Sequence, residues 1–344
     1  MAVRAFITGL AGLTISPSER AFLREAEPWG LILFKRNIDT PSQVSALVRS
    51  FRDIVGREAP VLVDQEGGRV QRLAPPHWPA YPPGARYSQI YDRDAASGLA
   101  AARLGAHLIA SDLHALGIDV DCLPLADVPV PGSDTVIGDR AYGTEPGKVA
   151  AIAGAIAEGL VAGGVLPVLK HLPGHGRANA DSHLKLPTVD TDRETLENTD
   201  FAAFRPLAGL PLGMTAHVVF SAIDPVQPAT TSVTIVNQVI RGFIGFRGLL
   251  MSDDVSMGAL SGTLAERSRA SLAAGCDVVL HCNGNLAEMT QVAGAAPTLA
   301  GEAAERAEAA LARRSAPHEF DVAEARQIFN AMVGQPAAQA MAKS

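Results

Sequence analysis

Between Lys170 and His183 the chain reads KHLPGHGRANADSH, which holds three imidazoles, an amine, a guanidinium and a carboxylate. Pro173, Gly174 and Gly176 break regular structure and permit close approach to a ligand. Asp181 stands two residues before His183, and in a loop or extended segment their side chains can meet. A carboxylate partner orients an imidazole and raises its basicity, which is the chemistry of a general acid/base. A plain Asx-type turn beside a solvated histidine is the alternative for this triplet. The glycines at 174 and 176 would serve as hinges if the loop moves between protonation steps.

Three other segments carry reactive groups. MSDDVSM (251–257) ends an apolar run with Asp253 and Asp254. Strand geometry points adjacent side chains to opposite faces, so one acid faces inward and the other supports the turn or caps the next helix. DQEGGRVQR (64–72) supplies Asp64, a Gly67-Gly68 turn, Arg69 and Arg72, and VIGDRAYG (136–143) adds Arg140. Asp accepts from sugar hydroxyls, and Lys or Arg donates to hydroxyl, carbonyl or carboxylate oxygens. Structural ion pairs would use the same groups. A metal site is not expected: Leu172, Pro173 and Gly174 separate His171 from His175, so no regular helix presents both, and the zincin Glu is missing.

These groups need a scaffold that gathers strand ends. Short apolar runs at 3–9, 30–34, 61–64, 118–123, 166–171, 212–217, 248–253 and 276–282 suit parallel strands buried on both faces. Helical segments lie between them, among them Pro41–Val55 after a Thr40 cap, 145–162 and Leu264–Ala274. Eight strands alternating with helices predict a single (β/α)8 barrel rather than an open doubly wound sheet. No GxGxxG follows Asp64, which weakens a dinucleotide-binding reading. Barrel active sites sit at the carboxyl ends of strands. Asp64, Lys170, His171, His217, Asp253 and His281 all fall at such ends. No linker divides the chain, so residues 1–344 read as one catalytic domain, with an Ala/Glu/Arg-rich helical extension over 301–326.

Composition excludes some partners. With 29 Lys plus Arg against 36 Asp plus Glu, the net charge is −7, and the chain has no basic block for nucleic acid or anionic lipid. Three cysteines without zinc spacing read as buried thiols of a reducing compartment. The N-terminal stretch lacks a small-residue cleavage pattern before Pro17 and reads as a first strand. The apolar run 149–169 carries four glycines and Pro167, so helix-then-strand fits it better than a membrane span. The expectation is a cytoplasmic protein, a monomer, with a small-molecule substrate.

Taken together, the segments resemble family 3 glycoside hydrolases, of the β-N-acetylglucosaminidase type. The matching stretches are GLILFKRN, VDQEGGRVQR, VIGDRAYG, KHLPGHG with DSH, and MSDDVSM, in the family's order across residues 30–257. The resemblance implies retaining hydrolysis of terminal β-linked N-acetylglucosamine on a (β/α)8 barrel, without a cofactor. It puts the nucleophile at Asp253 and the acid/base at His183, with Asp181 as dyad partner. It puts sugar binding at Asp64, Arg72, Arg140, Lys170 and His171. Enzymes of this type in Gram-negative bacteria act in the cytoplasm on peptidoglycan fragments, freeing N-acetylglucosamine from 1,6-anhydro-N-acetylmuramic acid with or without peptide. Leu172 stands where the family commonly has Phe, and RANA separates GHG from DSH, which bears on loop packing. A histidine acid suits the task, because its reference pKa of about 6.5 needs little tuning. Two rivals use the same residues: a Schiff-base aldolase acting through Lys170, and a sugar-binding protein without catalysis. Phosphorolysis is a nearer variant.

Overall fold

In the computed structural model, which describes residues 3–182 and 185–334, eight parallel strands close into a barrel. They are β1 (Arg4–Thr8), β2 (Pro28–Leu33), β3 (Val61–Val63), β6 (Val120–Asp121), β7 (Leu166–Leu172), β9 (Leu212–Thr215), β11 (Leu249–Asp254) and β12 (Val278–His281). Around the barrel the order is β1-β12-β11-β9-β7-β6-β3-β2. Two short pairs lie outside it: the hairpin β4 (Gln65–Gly67) with β5 (Val70–Gln71), and β8 (Thr188–Val189) with β10 (Val219–Phe220). The predicted (β/α)8 architecture is the observed one.

Period-two alternation explains both the core and the mouth. Ile7, Ile32, Leu62, Val120, Val168, Met214, Met251 and Leu280 pack together inside the barrel. Their neighbours Leu31, Leu33, Val61, Val63, Leu169 and Leu250 pack outward, under the helices. Each fully buried Val or Leu contributes roughly 1.5–3 kcal/mol relative to exposure, so this pattern fixes strand register firmly. Two steps beyond the inward residues lie Phe34, Asp64, Lys170, Asp253 and Cys282, all at the carboxyl end. The alternation that fills the core therefore delivers the polar residues to the mouth.

The surrounding helices start where the sequence caps them. α1 (Pro17–Ala26) opens with a Ser16–Glu19 capping box. In α2 (Pro41–Val55) the Thr40 hydroxyl accepts the Gln43 N–H at 3.3 Å. α5 (Pro146–Ala162) is capped by Glu145, and it ends at Gly163-Gly164 before β7 begins, dividing the long apolar run as expected. α3 (Gly84–Tyr91) and α4 (Ala95–His114) precede it, while α6 (Arg193–Asn198), α7 (Leu264–Ala274) and α8 (Leu286–Ala295) follow.

Three details refine the sequence reading. The strand expected over 118–123 is confined to Val120–Asp121, and the chain runs on to Pro124, which has no N–H for the ladder. Its carbonyl still accepts the Lys170 N–H at 3.0 Å. The tail expected to add helix over 301–326 does so as two elements, α9 (Gly301–Leu311) and α10 (Val322–Val333). α9 adds Ala307 and Ala310 to the barrel-interior cluster. Finally, α4 has no clear apolar stripe in sequence. It packs closely on α5, where a Cβ at Gly159 would lie 2.2 Å from the Arg103 carbonyl oxygen.

Candidate active site

A cavity of about 520 Å³ opens at the carboxyl end of the barrel. Its walls include Asp64, Arg72, Arg140, Lys170, His171, Asp181 and Asp253. The remaining sequence-predicted site residue, His183, lies outside the described residues.

The centre of the site is an ion cluster around Lys170. Its ammonium reaches Asp64 Oδ1 at 3.0 Å and Glu66 Oε1 at 2.7 Å. Arg72 donates to Asp64 Oδ2 at 2.9 Å, and Arg140 holds Glu66 through two bonds of 2.8 Å. Burial alone would raise the Asp64 carboxyl, but Lys170 and Arg72 outweigh it and hold Asp64 well below the usual carboxylate range. Glu66 is lowered in the same way by Lys170 and Arg140. Burial pulls the Lys170 ammonium down, while Asp64 and Glu66 more than compensate and raise it above its ordinary value. A Schiff-base lysine needs a neutral amine, so this environment opposes the aldolase rival. The cluster instead offers fixed carboxylate acceptors and cationic donors to a polyhydroxylated ligand.

His171 is oriented from behind. Its Nδ1 lies 2.7 Å from Asp127 Oδ2, so Nδ1–H donates to the carboxylate and the ring lines the cavity. Asp127 is fully buried, and burial would raise it, but His171 and His175 bring it down to about 2. The ladder register shifts between Leu169 and Leu172, and both Lys170 and His171 reach the cavity despite being neighbours.

Asp253 and Asp254 correct a simple alternation argument. The register also shifts between Met251 and Asp254, and both acids line the cavity. Their surroundings still separate them. Asp254 accepts from the Ser256 N–H at 2.9 Å, the Ser256 hydroxyl at 2.7 Å and the Cys282 N–H at 3.3 Å. It therefore supports the turn, while Thr263 caps the following helix α7.

At Gly176 the loop after β7 departs from the hinge expectation, while Gly174, at φ +151°, holds a conformation that favours glycine. His171 to Gly176 are buried, and a Cβ at Gly176 would lie 2.2 Å from the Val128 carbonyl oxygen. Glycine there serves close packing rather than rotation. Arg177 pins the next turn by donating to Asp200 Oδ2 at 2.8 Å and Thr199 Oγ1 at 3.1 Å.

Other histidines at strand ends do not join the cavity. His217 is buried, with Nδ1 2.7 Å from Thr230 Oγ1 and Nε2 3.0 Å from the Asp254 carbonyl oxygen. His281 is buried against Glu288 at 3.2 Å. Glu66 and Asp127 are polar site residues that sequence reasoning missed, as are Arg36 and Asn283 on the cavity wall. Glu66 sat in plain view within DQEGG, and Asp127 was a lone acid in the apolar run LADVPV. Among the described residues, no group of three His, Cys, Asp or Glu side chains is arranged to hold a metal. No helix among them is long and apolar enough to cross a membrane.

Residues 6–314 match the glycosyl hydrolase family 3 N terminal domain. A β-hexosaminidase of Alkalilimnicola ehrlichii is 42% identical over 289 residues, 82% of each chain. NagZ from Neisseria gonorrhoeae in complex with zinc ion superposes with a TM-score of 0.82 at 32% identity, covering 97% of both chains. NagZ from the same organism in complex with N-trifluoroacetyl-D-glucosamine gives a TM-score of 0.82 at 30% identity, over 97% of this chain and 99% of that one.

Proposed function

Because this chain belongs to glycosyl hydrolase family 3 and is a glycoside hydrolase of the β-hexosaminidase class, we propose that it releases terminal β-linked N-acetylglucosamine with retention of configuration. The observation that carries this reading is the convergence of Asp253 with the Asp64–Lys170–Arg72 cluster and His171 in one cavity. The cluster binds the sugar hydroxyls and fixes the ring. Asp253 attacks the anomeric carbon, and the bond to the departing oxygen breaks as His183 gives that oxygen a proton. Water then attacks the same carbon, passes its proton to His183, and frees the Asp253 carboxylate. Asp181 orients the imidazole. Arg140 acts through Glu66 and Lys170 as well as directly at the cavity wall.

The substrate is a peptidoglycan fragment bearing N-acetylglucosamine on 1,6-anhydro-N-acetylmuramic acid, with or without peptide, met in the cytoplasm. The resemblance across residues 30–257 supports this, as do the NagZ-like fold and a cavity large enough for one sugar ring. The whole chain acts as one catalytic unit, a monomer. The test is product analysis with such a disaccharide, with and without phosphate. Release of β-N-acetylglucosamine, unchanged by phosphate, supports the proposal. A sugar 1-phosphate would make the enzyme a phosphorylase, and sugar binding without any product would leave only a lectin.

A further inference from the structure

Asp127 serves two parts of the site from behind. Its Oδ2 meets the His171 ring, while its Oδ1 accepts the backbone N–H of His175 at 2.6 Å. The His175 ring is 3% exposed, and its Nε2 lies 3.0 Å from the hydroxyl of Ser182, the middle residue of the DSH triplet. Nδ1 of that ring is buried without a partner among the described residues. An imidazole placed so carries a desolvation penalty, and among the described residues its one side-chain hydrogen bond is the Ser182 contact. The Ser182 carbonyl in turn accepts the Ala259 N–H at 3.1 Å, which ties the triplet to the loop after β11.

We propose that Asp127, His175 and Ser182 form a positioning relay. It fixes the segment carrying Asp181 relative to the sugar-holding His171, so that proton transfer to the departing oxygen depends on residues that touch no substrate. The relay deepens the proposed glycosidase reading and rests on it. Its base is rigid, because Gly176 is packed on Val128 and Arg177 is bound to Asp200. One buried carboxylate thus links sugar binding to acid/base placement.

The experiment compares kcat/KM for N,N′-diacetylchitobiose, whose leaving oxygen needs a proton, with that for 2,4-dinitrophenyl N-acetyl-β-glucosaminide, whose does not. Loss of one neutral hydrogen bond should lower disaccharide turnover by about three- to tenfold in Ser182→Ala, with little change on the aryl glycoside. His175→Asn should behave alike, and Ser182→Thr, which keeps the hydroxyl, should restore most of the disaccharide rate. The double variant Ser182→Ala/His175→Asn should fall no further than the worse single one, since both remove the same bond. Equal losses on both substrates, no loss on either, or multiplying losses in the double variant would overturn the relay. A His183→Ala variant separates the two claims. If it shifts the substrate ratio and Ser182→Ala does not, the relay alone fails; if it leaves the ratio unchanged, the acid/base reading itself fails.

Discussion

The backbone N–H of Asp254 donates to Asp253 Oδ1 at 2.8 Å, so the second acid of the SDD sequence braces the first. Asp254 also spends its carboxylate on Ser256 and Cys282. A 5-fluoro glycoside should therefore label Asp253 and leave Asp254 unmodified, as read by mass spectrometry of the digested protein. Label on Asp254, or an oxazoline intermediate with no covalent adduct, would contradict that division.

Lys170 is only 2% exposed and stands between two carboxylates. Breaking a buried ion pair by removing one partner typically costs about 3–5 kcal/mol. Lys170→Met should lose stability of that order at pH 7 in urea unfolding, besides losing sugar binding. Part of the deficit should return near pH 4, where the stranded carboxyls take up protons. Unchanged stability would mean that Arg72 and Arg140 suffice to neutralise Asp64 and Glu66.

His175 gives stability its own pH dependence. Burial lowers its pKa from the ordinary 6.5 to about 4, helped by His171. A depressed folded pKa means the unfolded chain binds the proton more readily, so stability is full above pH 6.5 and declines as pH falls toward 4. The shift corresponds to roughly 3 kcal/mol across that window. Asp121 opposes it, because burial raises its carboxyl well above the ordinary range. The contributions of Asp64, Glu66 and Asp127, which are all lowered, are lost only below about pH 4. The clean measurement is therefore the difference between wild type and His175→Gln. The variant's unfolding free energy should change less between pH 7 and pH 4.5, and parallel curves would exclude His175 as the source.

Metal removal should not affect turnover. His171 Nδ1 is engaged by Asp127, and the His175 ring is buried behind the cavity, so the HxxxH pair does not present a chelate. Prolonged EDTA dialysis should leave kcat/KM unchanged, and loss restored by zinc or magnesium would contradict this.

Much of the site was legible because strand alternation and strand-end chemistry are local properties. Leu62 facing inward already determines where Asp64 points, and Met251 does the same for Asp253. What alternation could not reveal were the register shifts that bring His171 and Asp254 to the same cavity as their neighbours. Asp127 was illegible for a different reason: its value lies in a partner 44 residues away. Gly176 looked like a hinge, because sequence shows conformational freedom but not the Val128 backbone packed against it. α4 escaped notice since its small residues, needed for close packing on α5, erase the apolar stripe that marks a helix.

The central claim is that His183 protonates the departing oxygen, and leaving-group dependence tests it most directly. General acid catalysis is typically worth about 10²–10⁴-fold, or roughly 3–5 kcal/mol of barrier. His183→Ala should lose much of that factor in kcat/KM on a disaccharide and far less on p-nitrophenyl N-acetyl-β-glucosaminide. Asp181→Asn should show a milder form of the same pattern, and azide should restore turnover of the stalled intermediate. An unchanged ratio of the two kcat/KM values between wild type and His183→Ala would contradict the account. It would leave His183 a binding or loop residue, and His217, with both ring nitrogens already engaged, would be a poor replacement.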